Sequence, residues 1–309
     1  MKTPILSIIV PMREGVALSW LKELLEVKGD VQFILVFPPG ASCFPVKDER
    51  LVQLVCPLRG EFIQRITALL NANGEYVLSI NCDEYLHPSI LAITENYFKV
   101  FPESMFFRLR GTDFPHSEAP IGKPWQPLVD IEDISVKDKS GIKKTGKSGL
   151  SMREIPIAPL KNPVRFSGMF AGRNDQHGPH QENFDKKVWK NYLVQDALKK
   201  NVSALNFFGP FKYIPFWTAD RFMGLSVQAN SYEPDKVAGH WLPMPEQLRT
   251  EDNPPNHPRK NRRYSLAEVL LLRIYPKFGY LWNLAVFHKY GILSTWFPRD
   301  TIKALVSKL

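Results

Sequence analysis

Residues 76–88 read YVLSINCDEYLHP: mostly apolar positions run directly into Asn81, Cys82, Asp83 and Glu84, and His87 and Pro88 close the stretch. An apolar strand that ends in oxygen donors carries a desolvation cost unless a positive group meets it. In open α/β sheets ligands bind outside the carboxyl ends of the strands, where these residues fall. Asp83 and the Asn81 carbonyl, two positions apart, can turn toward one point. Hard oxygen donors of this kind suit Mg2+ or Mn2+ shared with a phosphate. A polar turn leading into the next helix, with an acidic residue near its N-terminus, explains the same letters.

Two other stretches carry candidate chemistry. GRNDQHGPHQENFD, residues 172–185, gathers Asp175, His177, His180, Glu182 and Asp185, the densest group of histidines and carboxylates in the chain. Its glycines and proline mark a loop, the kind of segment that carries function out of proportion to its length. GIKKTGKS, residues 141–148, satisfies the G-x-x-x-x-G-K-[ST] phosphate-binding pattern. That mechanism needs a buried strand before the glycines and a helix after them. Here VKDKS precedes, and Pro156 and Pro159 follow closely enough to forbid a long helix, so the match reads as chance among lysines.

The elements that must position these residues follow from the apolar runs. ILSIIVP, VQFILVF, RLVQLVC and EYVLSI read as short strands, most of them continuous apolar runs suited to burial on both faces. ALSWLKELLEV, GEFIQRITALLNANG and PSILAITENYFKVF read as helices between and after them, the second ended by Gly74 as a left-handed cap and the third opened by Pro88. This alternation predicts an open, mostly parallel sheet with helices on both faces. SMFFRLRG reads as a further strand, residues 111–165 as an irregular excursion, and DKKVWKNYLVQDALKKN as a helix. SLAEVLLLRIYPKFGYLWNLAVFHKYGI reads as a helical segment interrupted by proline, following a charged, proline-rich linker at 253–263.

Composition bounds the rest. The 309 residues carry a net charge of +9, which favours an anionic partner without naming it. The basic run HPRKNRR, 257–263, lacks the interleaved aromatics of a nucleic-acid groove, so no nucleic-acid role is expected. It and the C-terminal aromatic segment suit peripheral contact with an anionic membrane, or packing on the main domain and a solvated linker. Cys43, Cys56 and Cys82 are too few, and odd in number, for a disulfide framework. The N-terminal apolar run is too short for a signal peptide, and no stretch reaches a membrane-spanning length. A cytoplasmic protein, peripheral at the inner face of the membrane if it touches one, is the expectation.

GEFIQRITALLNANGEYVLSINCDEYLHP, residues 60–88, resembles without a gap the heart of family 2 glycosyltransferases of the GT-A fold. Gly60, Arg65, Ala72, Gly74, Glu75, Tyr76, Asp83 and Pro88 match the pattern, and SIIVPMRE resembles that family's first strand. The resemblance covers about residues 5–100. It implies a GT-A, Rossmann-like mixed sheet; with the helical C-terminal segment read above as an appendage, the chain divides as 1–215 and 216–309. It also implies transfer of a sugar from a UDP- or GDP-linked donor to a hydroxyl of a glycan or lipid-linked acceptor, with inversion. Asp83 would hold Mn2+ or Mg2+, with Glu84 beside it; Arg65 and Asn81 would lie near the phosphates. Pro11, Met12, Arg13 and Glu14 would line the nucleotide pocket. Inversion needs a base on the acceptor side; the region matching the family's base is the 172–185 loop, making Glu182 or Asp175 the candidate and His180 a further metal ligand or acceptor contact. Three positions depart from the pattern: Asn81 replaces an aspartate, Ile66 an asparagine, and VFPPGAS at 36–42 has no carboxylate for the base. These departures give the alternative reading, a non-catalytic relative that binds a glycan or partner.

Overall fold

The apolar runs form the expected strands: β1, β2 and β4 bury nearly every position, while the weaker run of β3 forms the half-buried edge. The computed structural model describes residues 3–116, 120–138, 140–165, 181–205, 216–252 and 265–287. Its first part comprises β1 (Leu6–Pro11), α1 (Leu18–Leu25), β2 (Val31–Phe37), β3 (Leu51–Val55), α2 (Glu61–Leu70), β4 (Tyr76–Ser79), β5 (Glu84–Leu86) and α3 (Ile90–Val100). Then follow β6 (Phe106–Arg108), β7 (Gly111–Phe114), β8 (Ser135–Lys137), β9 (Ile142–Lys144), β10 (Ser151–Pro156), β11 (Lys187–Lys190), α4 (Asn191–Leu205) and α5 (Phe216–Asn230). The last described elements are β12 (Val237–Trp241), β13 (Leu248–Glu251), α6 (Ser265–Ile274) and α7 (Gly279–Trp282), which runs into a π-helical turn at Asn283–Phe287.

Among the described residues, ten strands form one mixed sheet in the order β3-β2-β1-β4-β11-β6-β12-β10-β8-β9, and β5-β13-β7 form a small second sheet. β1 pairs in parallel with both β2 and β4, β2 with β3, β6 with β12 and β8 with β10, while β11 runs antiparallel to β4 and β6. The chain therefore builds outward from β1 to β3, then returns to the other side of β1 with β4. That reversal is a topological switch point, the place where open sheets offer a crevice to ligands.

Helices cover both faces. α1 and α3 pack Trp20, Leu21, Leu24, Ile90 and Tyr97 with Ile8, Leu35 and Leu78 on one side. α2, α4, α5 and α6 pack Leu69, Leu198, Phe222 and Leu271 with Ile9, Val36, Phe106 and Trp189 on the other. The C-terminal segment joins this second core through Ala267, Leu270, Tyr280 and Leu284. Residue 215 lies outside the described residues, and beyond it β12 enters the main sheet between β6 and β10.

Three expectations are corrected. Gly74 is not a left-handed cap: α2 already ends at Asn71, and Gly74 is small because a Cβ there would meet the Ser7 nitrogen at 2.6 Å. The segment beginning DKKVWK opens as strand β11, since its Val188 and Trp189 fill the gap between β4 and β6, and becomes helical only at Asn191. Within 111–165, β8, β9 and β10 extend the main sheet instead of forming an irregular excursion. Residues 141–148 accordingly hold the antiparallel β9 and a bend leading into β10, with no helix after the glycines.

Candidate functional site

The crevice at the switch point is bounded by the chain leaving β1 and the chain leaving β4. Gln64 of α2 holds the first exit, donating from Nε2 to the carbonyls of Met12 (2.8 Å) and Val36 (2.7 Å). Pro11 and Met12 are buried by this clamp, and Arg13 and Glu14 are exposed beyond it. Across the crevice Asp83 follows β4, its carboxylate 4.0 Å from the Arg13 guanidinium. Burial raises the Asp83 carboxyl above the usual range, opposed by Arg13 and reinforced by Glu251. The Glu251 N–H donates to the Asp83 carbonyl at 2.9 Å, while the Glu251 carboxylate accepts from the Tyr85 hydroxyl at 3.2 Å and lies 3.6 Å from His116 Nδ1.

The other oxygen donors of the motif face inward. Asn81 Oδ1 accepts from Arg65 at 2.7 Å, and its N–H donates to Glu84 Oε2 at 2.8 Å. Glu84, 1% exposed, pairs with Lys186 at 3.1 Å. Burial raises its carboxyl, with Lys186 and the Asn81 N–H working against that rise. Of the two places open to Glu84, a metal ligand or a residue behind the ligand, its pairing with a buried lysine favours the second. Arg65, 2% exposed, donates to Ser79, Asp185, Glu61 and Asn81. Burial disfavours its charge, but Asp185 and Glu61 outweigh that and hold the guanidinium above its ordinary range. It braces the strand ends from beneath, a positioning role in place of the expected phosphate contact.

Lys186 reaches Glu84 from a left-handed backbone, φ 58°, and also donates to Thr250 Oγ1 at 3.1 Å. Such a conformation costs a non-glycine residue about 1–2 kcal/mol and persists where the surroundings over-determine it. Here the Lys186 N–H meets the Ser79 carbonyl, and its own carbonyl accepts from Leu109. Sequence reading missed Lys186, Glu251 and Asp185 as members of this corner. Only Asp185 had a signal, as one acid of the 172–185 loop.

Of that loop, Asp175, His177 and His180 lie outside the described residues. Glu182 is described, and it is locked: Oε2 sits 2.6 Å from Arg221, Oε1 accepts from the Tyr280 hydroxyl, and Arg221 also pairs with Glu268 at 3.0 Å. Its carboxylate ties the approach to β11 onto α5, α6 and α7, which corrects the expectation that it is a free base. Asp220 fixes the neighbouring turn, accepting from the N–H groups of Phe184 (2.6 Å) and Asp185 (2.7 Å).

The oxygen donor at the crevice is thus Asp83, and among the described residues no group of three histidine, cysteine or carboxylate side chains could hold a metal ion. A carboxylate buried beside a guanidinium suits a divalent ion that takes its remaining ligands from phosphate and water, the usual habit of Mg2+. A mixed α/β sheet with a crevice at its switch point is the class this architecture defines.

No family model matches the chain, and no curated protein matches its sequence. Among solved structures, S. aureus TarS 1-349 in complex with UDP-GlcNAc is similar at 12% identity over 97% of this chain and 75% of that one, TM-score 0.48. A second S. aureus TarS structure aligns at 13% identity over 88% of this chain and 43% of its own, TM-score 0.41. The 2-C-methyl-D-erythritol 4-phosphate cytidylyltransferase from Thermus thermophilus aligns at 15% identity over 86% of this chain and 98% of its own, TM-score 0.39. Likeness at this level is loose, and the reading of the site rests on its own residues.

Proposed function

We propose that this protein is a nucleotide-sugar transferase that moves a sugar from a UDP- or GDP-linked donor to a hydroxyl of a glycan or lipid-linked acceptor. The observation that carries the reading is Arg13 facing Asp83 at 4.0 Å across the β1–β4 crevice. A guanidinium there binds a diphosphate by charge-assisted hydrogen bonds. Asp83 would hold Mn2+ or Mg2+ when the donor is bound. Such an ion supplies Lewis-acid neutralisation of charge on the departing diphosphate. Pro11 and Met12 form the floor behind the nucleotide, and Arg65 and Lys186 keep the crevice wall rigid by neutralising Asp185 and Glu84.

Inverting transfer requires a base to take the acceptor proton. Glu182 is committed to Arg221 and Tyr280, so the role is assigned to Asp175, with His180 as an acceptor contact or additional ligand. The setting proposed is cytoplasmic, with residues 257–263 touching an anionic membrane surface. No helix among the described residues is long and apolar enough to cross a membrane.

The test is a panel of nucleotide-sugars, UDP-GlcNAc included, scored for transfer and hydrolysis with and without Mn2+, comparing wild type with Asp83→Ala. Turnover in wild type and its loss in a folded Asp83→Ala variant are expected; equal turnover in both would remove the site assignment. A second reading, a binding protein without turnover, is favoured by the inward commitment of Asn81 and Glu84. Nucleotide-induced stabilisation with no turnover of any donor would establish it.

A further inference from the structure

The second core face of the main sheet ends in a polar row that the donor crevice does not use. Register places Arg108 of β6 opposite both Lys187 of β11 and Trp241 of β12, and Arg153 of β10 opposite Trp241 and Lys137 of β8. Directly paired residues present their side chains on one face, so these five form a single line across the sheet. Ser79, which accepts from Arg65, heads the same line, since the Lys186 N–H joins β11 to β4 at that residue. At about 4.8 Å per strand, Arg108 stands about 10 Å from Ser79 and Trp241 about 14 Å.

The line is heavily cationic. The Arg108 guanidinium lies 4.3 Å from the Trp241 ring centroid and that of Arg110 lies 5.5 Å from it, so two like charges crowd one indole. Arg108 donates to Gln181 Oε1, and among the described residues neither it, Arg110 nor Arg153 makes an ion pair. Asp220 is the carboxylate felt by both Lys187 and Arg108, and burial favours the neutral lysine there. The Trp241 indole N–H finds no acceptor among the described residues. Arg110, Arg153 and Lys137 are exposed. Crowded guanidinium groups on a ring repel one another unless an anion joins them, and each presents a planar fork matched to oxyanions.

We propose that this row is an acceptor-side anion site: the acceptor is an elongated molecule bearing oxyanions, phosphate or carboxylate, that lies along Arg108, Arg110, Trp241 and Arg153. This rests on the transferase reading for the word acceptor, while the anion site itself does not.

The experiment measures two affinities on the full chain. Fluorescently labelled linear oligophosphate, oligogalacturonate and uncharged maltoheptaose are titrated into wild type and into an Arg110→Ala, Arg153→Ala double variant, whose exposed positions leave folding intact. UDP binding is followed in parallel. At least one anionic oligomer should bind wild type ten-fold more tightly than maltoheptaose and lose ten-fold or more in the double variant, with UDP affinity unchanged. Preference for oligophosphate or for oligogalacturonate names the oxyanion. Equal binding of charged and neutral oligomers, or full retention in the double variant, overturns the proposal. If UDP fails to bind while the anionic oligomer behaves as stated, the transferase reading falls and the anion site stands.

Discussion

Arg13 is half exposed, and its guanidinium faces Asp83 across the crevice. Arg13→Ala should leave stability within about 0.5 kcal/mol of wild type, yet weaken UDP binding about ten-fold, the scale of one hydrogen bond to a charged group. Calorimetric titration checks this, and unchanged affinity would separate the diphosphate from this corner. His240 tells a different residue-scale story. Buried beside Tyr97, whose hydroxyl lies 2.6 Å from Nδ1, it is pushed from 6.5 down to about 4 by desolvation, with Lys143 adding to the effect. Between those values the unfolded chain binds more protons than the folded one, so stability is full above the unfolded value and is lost as pH falls toward 4. The loss from this one site is about 2 kcal/mol by pH 5. His240→Gln, neutral throughout, should shrink by that amount the difference between urea-unfolding free energies at pH 7.5 and pH 5. A difference as large as wild type's would place the acid sensitivity elsewhere.

At the scale of elements, the strand ends are held by pairs that sequence distance conceals. Arg65 and Asp185 are 120 positions apart, and nothing in either neighbourhood says which acid a buried arginine will choose; tertiary packing decides it. Removing one member of the Lys186–Glu84 pair leaves the other uncompensated. Lys186→Met should therefore cost about 3 kcal/mol, and the Lys186→Met, Glu84→Gln double variant markedly less. Thermal unfolding of both tests the coupling, and additive losses would show the pair to be independent. Gly74→Ala should also cost a few kcal/mol, because its Cβ would press on the β1 backbone at Leu6 and Ser7 and on the Ser7 hydroxyl. The parallel core, β1 to α3, was legible because each buried strand is a continuous apolar run and each helix has an apolar face. The position of Asp83 at a strand end was legible for a related reason, since it stands where such a run stops. β11 was not: four residues with two lysines, followed at once by a helix, carry no period of their own. The three-residue strands β8 and β9 likewise exist only through their neighbours.

For the whole molecule, the C-terminal helices α6 and α7 share the second core with the main sheet. Arg221 joins Glu182 to Glu268, and Leu270, Leu271 and Tyr280 are buried with the sheet's own side chains. Ending the chain at residue 264 should leave that apolar face bare and yield aggregated protein, whereas an independent appendage would allow a soluble, nucleotide-binding fragment. Solubility and UDP-induced stabilisation of the truncated chain distinguish the two. The sheet order has one more outcome, during synthesis. β4 lies beside β11, and more than a hundred residues separate them in the chain. A ribosome that has released only the first half has therefore made a platform with one naked ladder of N–H and C=O groups beside β4, open to any passing strand. Nascent chains stalled before residue 190 should depend on a holding chaperone, and the dependence should end when Val188 and Trp189 emerge and close that edge.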